Sequence, residues 1–262
     1  MRRSFLTPAL WIPAGLAIAL LGLPLVALIV RAPWAQLPEL LGRSEVLQAL
    51  GLSLGTASIA TAVSLVLGIP LALVLARSAD WPAVPRRLLR TIVTVPLVLP
   101  PVVGGVALLL LLGRRGLIGQ FLPFQIPFST SAVVIAQVFV AMPFLVLAVE
   151  GAVRASDRRF ETAAATLGAT RWTILRRVTL PLVAPGVSAG ALLCFTRALG
   201  EFGATITFAG SFPGVTQTLP IATYLELQRD PDAAIALSLT LMVVSVAVLV
   251  TLRDRWVPGL TS

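Results

Sequence analysis

Two charged side chains, Arg197 and Glu201, lie in and beside an apolar run of the sequence and are its clearest candidates for chemistry. They are four residues apart, so on a helix they share a face and can form an ion pair. Ionisable groups at such positions mark a transport pathway or form a structural pair at a membrane interface. The spacing predicts the pair, and the sequence leaves its role open between a gate and a structural contact.

Other chemistry is restricted by the residue types that the chain lacks. It has no histidine and one cysteine, Cys194, which we expect to be a buried small hydrophobic residue. The missing histidine excludes a His-ligated metal site, a histidine proton relay and a histidine-dependent triad. A single cysteine cannot form an intramolecular disulfide.

Catalysis by this chain is not expected either. No G-x-x-x-x-G-K-[ST] phosphate loop occurs, so a separate protein must supply any ATP hydrolysis. The acids within or bordering the apolar runs are Glu150 and Glu201, which give no aspartate pair for an intramembrane protease. We therefore predict no catalytic residue, no metal ligand and no cofactor in this chain.

The composition is that of a membrane protein. Of the 262 residues, 57% are hydrophobic and 12% are charged, whereas soluble domains carry about 25% charged residues. The net charge of +9 comes from arginines beside apolar runs, so nucleic acid is not an expected partner. The uncharged run 4–30 is longer than the apolar part of a signal peptide and predicts a retained first helix.

Six apolar stretches are long enough to cross the bilayer, which needs about 20 residues for a helix. We predict an all-α polytopic membrane protein with one domain, 1–262, and a cytoplasmic loop, 155–177, between the fourth and fifth spans. The predicted spans are 9–30, 48–76, 90–112, 130–152, 179–202 and 233–252.

Charge bias sets the orientation of these spans. The loops 77–90 and 154–177 carry four and six arginines against one and two acids, and both chain ends are basic. The positive-inside rule places these loops and both termini in the cytoplasm. Arg114 and Arg115 fall on the outer side and are exceptions to the rule.

The segment Phe160–Pro181 is the one long polar interruption of the chain. Its small and apolar residues recur at helical spacing, at Phe160, Ala163, Ala164, Leu167 and Gly168. A helix this short cannot span a bilayer, so it is predicted to dock on a cytoplasmic partner. The alternative is an amphipathic helix lying on the membrane surface, although lipid favours larger apolar residues.

Two further stretches predict irregular backbone. Pro96, Pro100 and Pro101 interrupt the third span, which predicts a kink that either lines a pathway or only bends the helix for packing. The uncharged segment 202–224, which includes Thr205, is broken by glycines and prolines. We expect a partly re-entrant external loop that helps to close a pathway; an ordinary external loop is the alternative.

The cytoplasmic segment resembles the EAA signature of bacterial ABC importer permeases. The resemblance rests on residues at fixed spacing: Glu161, Ala163, Ala164, Gly168, Val178, Leu180 and Pro181. Thr162, between the glutamate and the alanines, and Val178, where isoleucine is usual, are mild departures. A second likeness, to molybdate permeases, rests on RALGEFGATITFAGSFPGVTQTLP (197–220) and LVLPPVVGGVALLLLLGRRGLIG (97–119).

The resemblance implies the type I importer architecture, a homodimer around a central pathway, two ATPase subunits that bind ATP and magnesium, and an external oxyanion-binding protein. It implies that the ATPase is contacted by residues of the loop: Glu161, Thr162, Ala163, Ala164, Leu167, Gly168 and Arg171. Gate candidates are Arg197, Glu201, Pro100, Pro101 and Thr205, with Arg197 attracting a dianion.

Several alternatives stay open at this point. The implied cargo is molybdate, but tungstate and sulfate are also tetrahedral dianions. A stand-alone channel or secondary transporter would need an ion-coupling site, and the spans hold few acids to build one. A membrane adaptor that only recruits a soluble partner through the 160–181 segment is a third class.

Overall fold

The computed structural model describes residues 10–253, which form α-helices and no strand. Ser78–Asp80 and Gly119–Phe121 form single 3-10 turns, and Leu175–Thr179 forms a π-helical turn. The α-helices are α1 (Trp11–Val30), α2 (Leu37–Gly42), α3 (Ser44–Arg77), α4 (Ala83–Val98), α5 (Pro101–Leu112), α6 (Thr130–Ala155), α7 (Arg159–Thr166), α8 (Arg171–Ile174), α9 (Leu180–Leu199), α10 (Gly203–Phe208), α11 (Leu219–Glu226) and α12 (Pro231–Arg253).

Five helical segments within residues 10–253 are long and apolar enough to cross a membrane, and a bent pair of helices gives a sixth candidate. The all-α multispan prediction is confirmed. The helix that holds the fifth predicted span, 179–202, begins before the span, because the helical segment runs from Arg171 to Leu199 through the π turn. The second half of the polar segment is therefore continuous with a spanning helix.

The third predicted span, 90–112, is two helices rather than one. α4 and α5 meet at an angle of 119°, and the break falls at Leu99 and Pro100. Proline lacks a backbone N–H and disfavours helical backbone in the residue before it, so two successive prolines end α4. The predicted interruption is confirmed, and it is much sharper than a kink within one span.

The core of the bundle is formed by α3, α6 and α9, which pack through small residues. One buried cluster joins Ala57 and Ala60 of α3, Leu145 of α6, and Cys194 and Ala198 of α9. A methyl group added to Gly190 of α9 would lie 2.9 Å from the side chain of Leu145. Small residues let helix backbones approach closely, and Cys194 is fully buried as predicted.

The irregular segment after α9 folds into α10 and α11. α10 packs on α5 so closely that a Cβ at Gly105 would lie 2.7 Å from the carbonyl oxygen of Ala204. Gly203, Ala204, Thr205 and Phe208 of α10 are buried. An ordinary exposed loop does not describe α10, which is covered by protein, whereas residues 212–215 of the same segment are exposed.

Candidate functional site

The first part of the candidate site is the helical hairpin formed by α7 and α8. α7 ends in a Schellman motif: the N–H of Ala169 bonds the carbonyl of Ala164, and the N–H of Gly168 bonds that of Ala165. Gly168 has a φ of +82°, which glycine adopts without strain. A Cβ here would meet nothing within 4 Å, so the turn, and not crowding, requires the glycine.

Side-chain caps define the other ends of this hairpin. The N–H of Arg159 bonds Oδ1 of Asp157 at 2.9 Å at the start of α7. The N–H of Thr173 bonds Oγ1 of Thr170 at 3.2 Å, which caps α8 at its N-terminus. Arg171, the first residue of α8, is exposed and makes no side-chain bond within residues 10–253.

The predicted stripe on α7 is largely uncovered. Leu167 is 88% exposed and Phe160 is 58% exposed, while Ala163 is exposed and Ala164 half-buried. Trp172, at the start of α8, is also 68% exposed, and the sequence reasoning missed it although a tryptophan in a polar loop is a visible signal. Beside α7, an open depression of about 430 Å³ is lined by Asp157, Arg158, Arg159, Thr162, Ala163 and Thr166.

Glu161 does not point outward from α7 but is bound within the chain. Its carboxylate accepts bonds from Nη2 of Arg77 at 3.0 and 3.3 Å and from Oγ1 of Thr179 at 2.6 Å. Arg77 ends α3, and Thr179 precedes α9. These partners lie 84 and 18 residues from Glu161, so no local sequence signal identifies them.

A second carboxylate on the same side of the bundle has two arginine partners. Glu150 of α6 is buried and pairs with Arg90 of α4, and with Arg154 at 2.8 Å. Arg154 also donates a long bond, 3.5 Å, to the carbonyl of Leu75 near the end of α3. The arginines that set the predicted orientation therefore also tie α3, α4 and α6 together.

The second part of the candidate site lies at the other end of α9. Arg197 and Glu201 form the predicted pair, with Nη1 and Oε2 2.6 Å apart but not aligned as a hydrogen bond. Glu201 is 1% exposed, and its Oε1 accepts the N–H of Ala204 at 2.9 Å, so it caps α10. A carboxylate this deeply buried is not a snorkelling surface group.

The other gate candidates lie near this cap. Pro101 lies at the break between α4 and α5. A Cβ added to Gly203 would lie only 2.9 Å from it, so the break packs on the start of α10. Pro100 is the adjoining residue of the same break. Thr205 is buried, and its hydroxyl has no hydrogen-bond partner among the described residues. The fold thus gathers these candidates around α10.

The two parts of the site are far apart. α9 has 20 residues, and at about 1.5 Å per residue it separates α7 from the Arg197–Glu201 pair by roughly 30 Å. Because α8, the π turn and α9 form one helical segment, a displacement of the hairpin can reach the far end of the bundle.

Comparison with known proteins decides the family. The model of the family described as "Binding-protein-dependent transport system inner membrane component" matches residues 68–258, which is most of the chain. This chain belongs to that family. It is therefore a multi-pass inner membrane component of a transport system, as the sequence predicted.

Relatives within the family are close in sequence. The molybdenum transport system permease protein ModB of Mycobacterium tuberculosis is 50% identical over 248 residues, 94% of this chain and 93% of the relative. ModB of Escherichia coli K12 is 40% identical over 213 residues, covering 80% and 92%. The sulfate transport system permease protein CysT of the same strain is 33% identical over 244 residues, covering 89% and 87%.

Solved structures show the same fold at low sequence identity. A bacterial alginate ABC importer matches with a TM-score of 0.70 and 16% identity, over 94% of this chain and 93% of that chain. The MetNI methionine ABC transporter, in an inward-facing conformation, matches with a TM-score of 0.64 and 17% identity, over 79% of this chain and 93% of that chain. The type I ABC importer permease architecture predicted from the sequence is confirmed.

Proposed function

We propose that this chain is the membrane-spanning permease subunit of an ATP-driven importer that carries molybdate across the cytoplasmic membrane by alternating access. The observation that carries the proposal is the 50% identity to a molybdenum permease over 94% of the chain. Two copies surround a central pathway, two ATPase subunits bind below, and an external oxyanion-binding protein delivers the anion above. The sequence has no phosphate loop, so ATP and magnesium bind to the ATPase.

The α7–α8 hairpin is proposed as the contact with the ATPase. Its exposed stripe supports this, because α7 has no buried residue and offers Ala163 and Leu167 to a partner. Thr162 and Ala164 complete the contact, Gly168 forms the turn, and Arg171 orients the second helix. Orientation follows from charge: the arginine-rich hairpin and both termini face the cytoplasm.

Transport follows from rigid-body motion of this contact. Closure of the two ATPase subunits around ATP displaces both α7–α8 hairpins, and the continuous α8–α9 segment transmits the displacement. The far end of α9 carries Arg197 and Glu201, beside the break at Pro101 and beside Thr205. We assign the gate to this region, where Arg197 attracts the dianion and Glu201 holds the guanidinium.

A related anion is the second candidate cargo. The sulfate permease relative, at 33% identity over 89% of the chain, supports sulfate more weakly than the molybdenum relatives support molybdate. Tungstate shares the charge and shape of molybdate. Titration of the external binding protein with the three anions separates them, because selection is expected mainly in that protein.

A stand-alone transporter finds little support among the described residues. Glu150 and Glu201, the carboxylates inside α6 and after α9, are both paired with arginine. Neither carboxylate is therefore an unpaired group from which an ion-coupling site could be built.

Assembly provides the test of this proposal. We expect the chain to co-purify with its cognate ATPase at equal stoichiometry, and ATP hydrolysis to rise when the molybdate-loaded binding protein is added. Stimulation is measured as phosphate release in proteoliposomes, with unloaded binding protein as the control. A chain that binds no ATPase, or hydrolysis that ignores the loaded binding protein, contradicts the proposal.

A further inference from the structure

We propose that Arg77 and Thr179 are positioning residues, which act through Glu161 to fasten the docking helix α7 to α3 and α9. The inference deepens the proposed function and rests on it, since it assigns the route by which ATPase motion enters the bundle. Nothing in the sequence motif itself points to Arg77 or Thr179.

The geometry shows that Glu161 acts inward. Its Oε1 accepts from Arg77 at 3.0 Å and from Thr179 at 2.6 Å, and its Oε2 accepts from Arg77 at 3.3 Å. The side chain is 26% exposed, and Thr179 is 1% exposed. Arg77 and Thr179 occupy three of the roughly four acceptor sites of this carboxylate, so most of its bonding is internal. Charge-assisted bonds of this kind are stronger than neutral ones.

α7 needs such a fastening because its own packing is weak. It has eight residues, none of them buried, and short helices have little stability without tertiary contacts. The Schellman turn and the Asp157 cap fix its ends but do not join it to α3. The ion pair between Arg77 and Glu161 provides that link.

The helices held by Glu161 are themselves fixed to the bundle. The end of α3 also receives the bond from Arg154 of α6 to the carbonyl of Leu75. Thr179 closes the π turn that leads into α9, and π turns occur often at functional sites. A displacement of α7 is therefore transmitted to α3 and α9 together, and through α3 to α6.

A charge swap tests this assignment in the reconstituted complex. Arg77→Ala, Glu161→Gln and Thr179→Val are each expected to lower molybdate uptake per ATP hydrolysed by about fivefold or more, at the low end of known couplings between sites. ATPase binding and basal hydrolysis are expected to persist in Arg77→Ala and Thr179→Val, whose residues are not among the proposed ATPase contacts. The double variant Arg77→Glu with Glu161→Arg should transport better than either of its single variants.

The matched control is Arg87→Ala, which removes the same charge from an exposed residue of α4 whose side chain forms no hydrogen bond or ion pair within residues 10–253. It is expected to match wild-type uptake. Full uptake by Arg77→Ala beside a defective Glu161→Gln would overturn the inference, since Glu161 would then act outward on the ATPase. A double variant no better than its worse single variant would also overturn it. If the wild-type chain does not bind the ATPase, that result would instead refute the proposed function.

A second readout does not depend on transport. If the three residues fasten α7, trypsin should cut at Arg158 and Arg159 faster in Arg77→Ala and Glu161→Gln than in wild type or Arg87→Ala. Equal cleavage rates in all four proteins would contradict the fastening.

Discussion

Valine in place of Gly168 is expected to abolish most molybdate uptake while the protein still accumulates in the membrane. Gly168 has a φ of +82°, where a side chain costs about 1–2 kcal/mol and a β-branched one more. Relieving that cost unwinds the end of α7 and misplaces the exposed docking stripe. A cost of about 1–2 kcal/mol shifts the equilibrium between the folded and the unwound end of α7 by a factor of about 5–30. Uptake should therefore fall by about tenfold or more.

The control variants separate the turn from other effects. Asparagine tolerates positive φ, so Gly168→Asn should lose far less uptake than Gly168→Val. Gly151→Ala, in the regular helix α6 with nothing within 4 Å of its added Cβ, should transport like wild type. Wild-type uptake by Gly168→Val would refute the docking assignment. Equal losses in the valine and asparagine variants would show that close contact with the partner, and not the turn, requires glycine.

Removal of the Glu201 carboxylate should have the largest effect on stability. Glu201→Ala leaves Arg197 without its partner and leaves the N–H of Ala204 unbonded at the start of α10. Breaking one side of a buried ion pair costs about 3–5 kcal/mol. We expect a clear fall in the thermal stability of the purified chain in detergent. The matched control is Glu39→Ala, an exposed acid on α2, which should change stability by less than about 0.5 kcal/mol.

Arg197 distinguishes a gate from a structural pair. Lysine conserves the charge and can still pair with Glu201, but it lacks the planar fork that matches an oxyanion. If Arg197 contacts the anion, Arg197→Lys should retain stability and lose uptake. Unchanged uptake would instead indicate that the Arg197–Glu201 ion pair is structural and holds α10 in place. A fully stable Glu201→Ala variant would contradict both roles of the carboxylate.

The helix α7 and its turn at Gly168 could be predicted because their signals are local. The spacing from Phe160 to Gly168 indicates a short helix, glycine indicates its end, and flanking arginines indicate its side of the membrane. The contacts of Glu161 could not be predicted in the same way, since Arg77 and Thr179 reach it only after α3, α7 and α9 pack. Helical periodicity describes one helix and not its neighbours.

The same limit explains the differences at the other end of α9. The four-residue spacing of Arg197 and Glu201 predicts their ion pair, and the structure confirms it. That Glu201 caps α10 depends on the chain turning at Gly200 and burying α10 against α5. The break at Pro100 was visible as a proline pair, but its 119° angle follows from the packing of α5 on α10.

Uptake of labelled molybdate by sealed proteoliposomes is the direct test of ATP-driven molybdate import through this chain. The vesicles contain this chain and its ATPase, with ATP inside and the molybdate-loaded binding protein outside. Uptake is expected to require the ATPase, hydrolysable ATP and the binding protein together, with little competition from sulfate. Uptake by the chain alone, or transport driven only by the sulfate-loaded binding protein, would contradict it.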